Sequence, residues 1–239
     1  MWFNMKIAIL QCDNVMEKFQ EDFGNYPEMI TDLLNSVENN LEIGTFDVQK
    51  GEYPQNINDW ELFITTGSKA SVNDNEDWIL DLIEFTKLLG VTKKKLMGIC
   101  FGHQIIALAR GGSVEESDKG WGIGIESNNI LIQTDWMDND QHELKLIVSH
   151  KEQINQLPQG AMVIAESDFC PYFMVQWDDH FLSVQGHPEW NKLYSKTLMN
   201  DRRSIIPVKR IEQGLASLEK NINNQQFARW IINFAKRKA

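Results

Sequence analysis

Lys95-Leu96-Met97-Gly98-Ile99-Cys100-Phe101-Gly102-His103-Gln104-Ile105-Ile106-Ala107-Leu108-Ala109-Arg110 is the stretch that decides the fold. Residues 95–100 read as a short buried strand. Phe101 to Arg110 reads as a helix stopped by Gly111-Gly112. No loop residues separate the two, so the backbone must reverse sharply at Cys100. Glycine on either side, Gly98 and Gly102, removes the Cβ atoms that such a turn would crowd. The turn lifts the Cys100 side chain out of the sheet and sets it at a helix N-terminus. There the positive dipole and the free N–H groups favour thiolate over thiol and can hold an oxyanion.

Working outward, the same alternation recurs upstream. Strands are predicted at Lys6–Gln11, Glu42–Gln49 and Trp60–Thr66, with helices at Pro27–Val37 and Asp74–Leu89. Downstream the signal changes to short strands: Gly122–Glu126, Ile130–Gln133, Lys145–Ser149, Ala161–Ala165, Phe173–Trp177 and Phe181–Gln185. Helical patterns close the chain at Trp190–Met199, Val208–Lys220 and Gln225–Lys236. This order predicts an α/β fold with a mostly parallel sheet, extended by antiparallel strands. Ligand sites in such sheets lie at the carboxyl ends of the strands, and Gly67, Cys100 and His187 all fall there.

Composition narrows the class. The chain has 239 residues, 42% hydrophobic and 24% charged, which suits a globular domain rather than a disordered chain. We expect a domain over 1–200 and a helical extension over 201–239. No run of eighteen apolar residues points to a membrane span. The opening Met1-Trp2-Phe3-Asn4-Met5-Lys6 does not read as a secretory leader. The formal charge of −11 argues against nucleic acid and anionic membranes as partners. From Asp201 onward nine basic and three acidic residues give net +6, against net −17 for the first 200 residues. Phe227, Trp230, Ile231 and Phe234 recur at helical spacing and need cover, by default from the chain itself, otherwise from a homodimer or another partner. Cys12, Cys100 and Cys170 are an odd, scattered set, so neither a disulfide framework nor a zinc site fits. A reducing cytoplasm is the expected compartment.

A thiol nucleophile needs a histidine base, itself oriented by a carboxylate or amide. Of five histidines, His142 reads as solvated, His180 as part of a turn, and His103 as packed within the helix after Cys100. His150 and His187 each follow a strand. His187 is the better base, because Pro188 fixes the backbone after it and Glu189 can turn back to bond the imidazole. His187 and Glu189 lack further ligands at metal-binding spacing, so no metal is expected.

These residues resemble the class I glutamine amidotransferases. The family mark is Gly-x-Cys-x-Gly-x-Gln followed some eighty to a hundred residues later by His-Pro-Glu. Gly98 to Gln104 matches it, and His187-Pro188-Glu189 follows 87 residues after Cys100. The resemblance covers about residues 6–190 and implies a flavodoxin-like three-layer α/β sandwich bearing a Cys100–His187–Glu189 triad. It implies that Cys100 attacks the side-chain amide of glutamine, that His187 moves the proton to departing ammonia, and that water then cleaves a γ-glutamyl thioester. The backbone N–H of Phe101 would be one oxyanion donor. Gly67, in a Thr66-Gly67-Ser68 segment where the family usually has Gly-Gly-Pro, would be the other. Gln104 and the Ser149-His150 pair would border the substrate, and Lys119-Gly120-Trp121-Gly122 either adds a wall to that pocket or forms a structural turn.

The family usually hands ammonia to a synthetase. This sequence has no room for a second catalytic domain and no phosphate loop, so no cofactor and no ATP are expected. Three readings stay open: a glutaminase subunit feeding a separate synthetase, a stand-alone hydrolase of γ-glutamyl amides or peptides, and a non-catalytic binding module.

Overall fold

The computed structural model describes residues 4–138 and 140–237. Met1-Trp2-Phe3 of the leader reading and the last two residues of the predicted extension lie outside the described residues. Among the described residues no helix is long and apolar enough to cross a membrane.

Among the described residues the centre is a nine-stranded sheet in the order β2-β1-β3-β4-β11-β10-β9-β6-β7. Its parallel half comprises β1 (Met5–Gln11), β2 (Leu41–Asp47), β3 (Leu62–Thr65), β4 (Lys95–Ile99) and β11 (Phe181–Val184). The antiparallel half comprises β10 (Met174–Trp177), β9 (Ala161–Glu166), β6 (Gly122–Ile130) and β7 (Glu143–His150). Strand β1 shows why its sequence is continuously apolar. Ile7 and Ile9 face one layer, Ala8 and Leu10 the other, and all four are fully buried. The first layer holds α2 (Tyr26–Asn35) and α7 (Asn224–Lys236), the second α3 (Asp77–Val91) and α4 (Phe101–Ala109). This is the flavodoxin-like three-layer sandwich, with a mostly parallel sheet, an antiparallel extension and C-terminal helices.

Local chemistry sets the helix ends. At α2 the Asn25 side chain caps the first turn while Glu28 reaches back to the Asn25 N–H, and Pro27 sits in that turn. Helix α5 (Lys192–Asp201) starts two residues later than its sequence pattern predicts, because the Asn191 side chain accepts from Tyr194 N and fixes the cap there. Trp190 is thereby left in the loop before the helix.

Other departures have physical causes. Helix α1 (Glu17–Phe23) has no buried residue and no side-chain cap, so its sequence carries neither signal. Strands β5 (Ser113–Glu116) and β8 (Glu152–Gln156) pair across forty residues through mostly polar side chains. Of the predicted strand Ile130–Gln133 only Ile130 is in a strand, as the last residue of a longer β6; Leu131 N still donates to Ile164 O of β9 at 2.8 Å, and residues 131–133 form no strand. Strand β6 meets β9 only at Asn129–Glu166 and Ile130–Ala165. The β6–β7 wing curls from that pivot back over the sheet's carboxyl edge, where His187 N donates to Ile147 O of β7 at 2.7 Å.

Strands β1, β3, β4 and β11 end together along that edge, in the register Leu10–Thr65, Thr65–Gly98 and Ile99–Val184. The residues just beyond them, Asp13, Gly67, Cys100 and His187, converge.

Candidate active site

Cys100 has φ +49°, ψ −97°, the left-handed side of the map that costs a non-glycine residue about 1–3 kcal/mol. The turn holds it there. Cys100 N donates to Val184 O at 2.9 Å, and Gln104 N closes the first turn of α4 on Cys100 O at 3.2 Å. Both flanking glycines are required. A Cβ on Gly98 would lie 2.7 Å from Gly102 O, and one on Gly102 only 1.7 Å from Thr65 Oγ1. The first-turn amides of α4, Phe101 N included, have no acceptor within the helix and point toward the Cys100 side.

His187 is buried beside this turn. Its Nδ1–H donates to Glu189 Oε1 at 2.7 Å, and both side chains are almost wholly enclosed. Gly67 packs against the imidazole edge: a Cβ there would lie 2.7 Å from His187 Cε1 and 3.7 Å from Cys100 Cβ. Burial resists the charged imidazolium. The carboxylate of Glu189, the negative charge of an ionised Cys100 and hydrogen bonds to both outweigh it and push His187 up to about 10. The pair is thus disposed to hold imidazolium beside sulfur at neutral pH. Burial raises Cys12 and Cys170 each to about 12.

His150 does not compete for the orienting position. Its Nδ1 faces Glu152 O at 3.0 Å, and burial, partly offset by that bond, lowers it to about 4, so it stays neutral. His103 is fully buried against Ser183 Oγ at 2.8 Å and is lowered to about 3 by burial. His180 sits in the β10–β11 turn, and His142 is exposed.

A cavity of about 430 Å³ opens over Cys100. Gln104, Ser149 and His150 line it, as does Trp121 of the Gly-flanked segment. Gln104 is committed inward. Its Nε2 donates to Glu152 O at 2.9 Å and to Gln185 Oε1 at 3.2 Å, while Gln185 Nε2 points at Cys100 Sγ at 3.5 Å. Ser149 Oγ accepts from Arg202 Nη1 at 2.8 Å, which brings the cap of α5 into the wall. Four contributors escape sequence reading: Gln185, Arg202, Trp190 and Asp13. Gln185 and Trp190 flank the His-Pro-Glu motif, so proximity to it was the available signal. Asp13 accepts from Lys69 N at 2.9 Å and so fixes the Gly67 loop from another strand end. Nothing local in the sequence marks Asp13 or Arg202. Among the described residues no group of three or more His, Cys, Asp or Glu is arranged to hold a metal.

A thiol on a strand-to-helix turn, backed by an imidazole that is bonded to a carboxylate, can perform acyl transfer. Comparison with known proteins gives the class a family. The model for "Glutamine amidotransferase class-I" matches residues 21–201, and the chain belongs to that family. Among curated relatives, Gamma-glutamyl peptidase 2 of Arabidopsis thaliana is 34% identical over 193 residues, 78% of this chain and 77% of the relative. Gamma-glutamyl peptidase 4 of the same plant is 30% identical over 228 residues, covering 91% of this chain and 90% of the relative. The crystal structure of a glutamine amidotransferase from Thermotoga maritima superposes with a TM-score of 0.79, covering 98% of this chain and all of that one, at 15% identity. That last likeness is one of fold.

Proposed function

We propose that the protein is a cysteine hydrolase that cleaves γ-glutamyl amide bonds through a thioester on Cys100, and that it acts alone on substrates whose leaving amine is larger than ammonia. The observation that carries this reading is the buried His187–Glu189 pair at 2.7 Å, set beside Cys100, which lines the cavity. In the proposed cycle the Cys100 thiolate attacks the γ-carbonyl carbon. The resulting oxyanion is held by Phe101 N–H and the Gly67 segment. His187 gives its proton to the departing amine, then takes one from the water that cleaves the thioester and releases glutamate. Glu189 holds the imidazole tautomer and supports its charge. Gln104, Ser149 and His150 border the substrate. Three unpaired thiols suit a reducing cytoplasm.

The cavity volume of about 430 Å³ lies within the range of about 300–1,000 Å³ that accommodates ligands larger than a single amino acid. The peptidase relatives point the same way. The second reading, a glutaminase that passes ammonia to a separate synthetase, rests on membership of the amidotransferase family.

The purified chain is to be assayed for amine release from γ-glutamyl peptides and for ammonia release from glutamine. Peptide kcat/KM is expected to exceed that for glutamine by about tenfold or more, as extra leaving-group contacts in a pocket can supply. Faster glutamine turnover, or activity appearing only with an added synthetase, would favour the second reading. Cys100→Ala is expected to lower turnover by about 10³-fold or more with the circular dichroism spectrum unchanged. An active Cys100→Ala protein would remove the thioester altogether.

A further inference from the structure

The bond from His187 Nδ1 to Glu189 fixes one edge of the imidazole but leaves the ring free to tilt about that bond. Something else must set the plane in which Nε2 points. Trp190 lies flat against the ring, with centroids 3.7 Å apart and planes 12° from parallel. The indole is itself immobilised. It is nearly wholly buried, meets Tyr194 edge-on at 4.9 Å, and has Tyr26 stacked beyond it at 6.5 Å and 15°. Its backbone is tied at both ends: Trp190 N donates to His187 O, and Trp190 O accepts from Asn224 Nδ2 of α7 at 2.8 Å.

The geometry points to Trp190 as a positioning residue for the base, an aromatic plate that sets the plane of His187 and favours its imidazolium form. The face of an indole is electron-rich and attracts a cation laid against it, most strongly where water is excluded. The inference rests on the Cys100–His187 reading for its catalytic consequence, but the stack itself acts on His187 whether or not Cys100 is the nucleophile.

The charged and titratable groups facing His187 are few. Cys100 approaches from the end of β4, Glu189 from its own loop, and the neutral His150 from β7. Beyond the indole lie Tyr26 of α2 and Tyr194 of α5, with hydroxyls 3.4 Å apart, and Asp13 after β1. Burial lowers His187, whereas Glu189 and Cys100 raise it. Removing the ring admits water, which relieves burial but also screens Glu189 and Cys100, so a change that keeps the ring's shape while draining its face is what separates two roles. If the ring only fills space, such a change leaves the His187 pKa where it was. If its face supports the cation, it lowers that pKa.

The test is an NMR titration of the His187 imidazole, with pH profiles of kcat/KM, in the full chain and in Trp190→Leu, Trp190→Phe and site-specifically fluorinated Trp190. Trp190→Leu is expected to lower the His187 pKa by about one unit, a tenfold change in its protonation equilibrium, and to bring the alkaline limb of the profile down with it. Trp190→Phe should restore part of that loss. Fluorination, which drains the ring face without changing its shape, should lower the pKa stepwise, and it answers the question even if Trp190→Leu fails to fold. An unchanged or raised His187 pKa across the fluorinated series would overturn the inference. An active Cys100→Ala protein would instead remove the proposed function while leaving the His187 titration to judge the stack.

Discussion

At Gly67 a single hydrogen atom decides where the His187 imidazole can sit. A methyl group there would overlap His187 Cε1 at 2.7 Å, and the imidazole has nowhere to retreat, with Glu189 on its Nδ1 edge and Trp190 on its face. Gly67→Ala is therefore expected to cut kcat about 10²-fold, the penalty for moving a reacting group by roughly an ångström, and to lower Tm by about 2–12 °C, since overpacking a buried site costs about 1–3 kcal/mol. Steady-state kinetics beside a thermal melt check it, and a variant of normal kcat would show that the ring can shift without cost. The same logic explains which residues the sequence exposes. Cys100, Gly98 and Gly102 are legible because a sharp turn forces their identities, as the overlap of a Gly102 Cβ with Thr65 Oγ1 makes concrete. Trp190 is not, since an aromatic after His-Pro-Glu reads as the first residue of a helix until the Asn191 cap shows that it stands outside.

The elements meet at the site through their loops, and the β3–α3 loop is held from a different strand. Asp13, just past β1, accepts from Lys69 N through Oδ2 and from Lys69 Nζ through Oδ1, and the side chain is almost fully buried. A buried carboxylate bonded to a backbone N–H contributes about 1.5–3 kcal/mol, and here that energy fixes the segment carrying Gly67 and Ser68. If Gly67 N–H supports the oxyanion, loosening the loop must appear in kcat rather than KM. Asp13→Ala is expected to lower kcat by at least about tenfold, part of the 10²–10³ that losing an oxyanion donor costs, and Asp13→Asn, which can still accept from Lys69 N, by less. A defect confined to KM would mean that the loop only binds substrate. Between elements the sequence is legible where a strand or helix is decided by its own residues. β1, β4, α4 and the β10–β11 hairpin follow directly from short apolar runs and turn residues. β5 and β8 do not, because a polar pair joined across forty residues leaves no local period. The curl of the β6–β7 wing that brings Ser149 and His150 to Cys100 is likewise set by a pivot at Asn129–Ile130, which no alternation reveals.

Over the whole molecule the charge asymmetry and the apolar stripe of the last helix pose one question, which is what covers that stripe. In the structure Phe227, Trp230, Ile231 and Phe234 are buried in the cluster that contains Ile7, Ile9, Leu144 and Leu146, and Trp136 packs edge-on to Trp230 at 6.0 Å. Basic residues of the tail meet the acidic body, Arg229 at Asp138, Lys236 at Glu38, and Arg237 at Asp135 and Asp179. These pairs are largely exposed, and such pairs contribute about 0–1 kcal/mol each. Burial must therefore dominate: covering apolar area is worth about 25 cal/mol per Å², and one large aromatic outweighs several surface pairs. The two contributions can be separated by substitution. Trp230→Ala should destabilise by about 3–5 kcal/mol, which in a domain of this size lowers Tm by about 6–20 °C. Arg229→Ala should cost no more than about 1 kcal/mol. We propose on this basis that the segment after Asp201 is part of the folded body rather than a partner-binding arm, and truncation after Gln225 tests it. The start of α7 makes the effect reach the site, because Asn223 exchanges two 2.8 Å bonds with Lys145 of β7 and Asn224 holds Trp190 O. The truncated chain should lose Tm and activity together. If it kept its Tm while an oligomer dissociated, the stripe would belong to an interface between chains. A truncated chain with normal Tm and activity would show that neither the stripe nor the charge of the tail has a role in the fold.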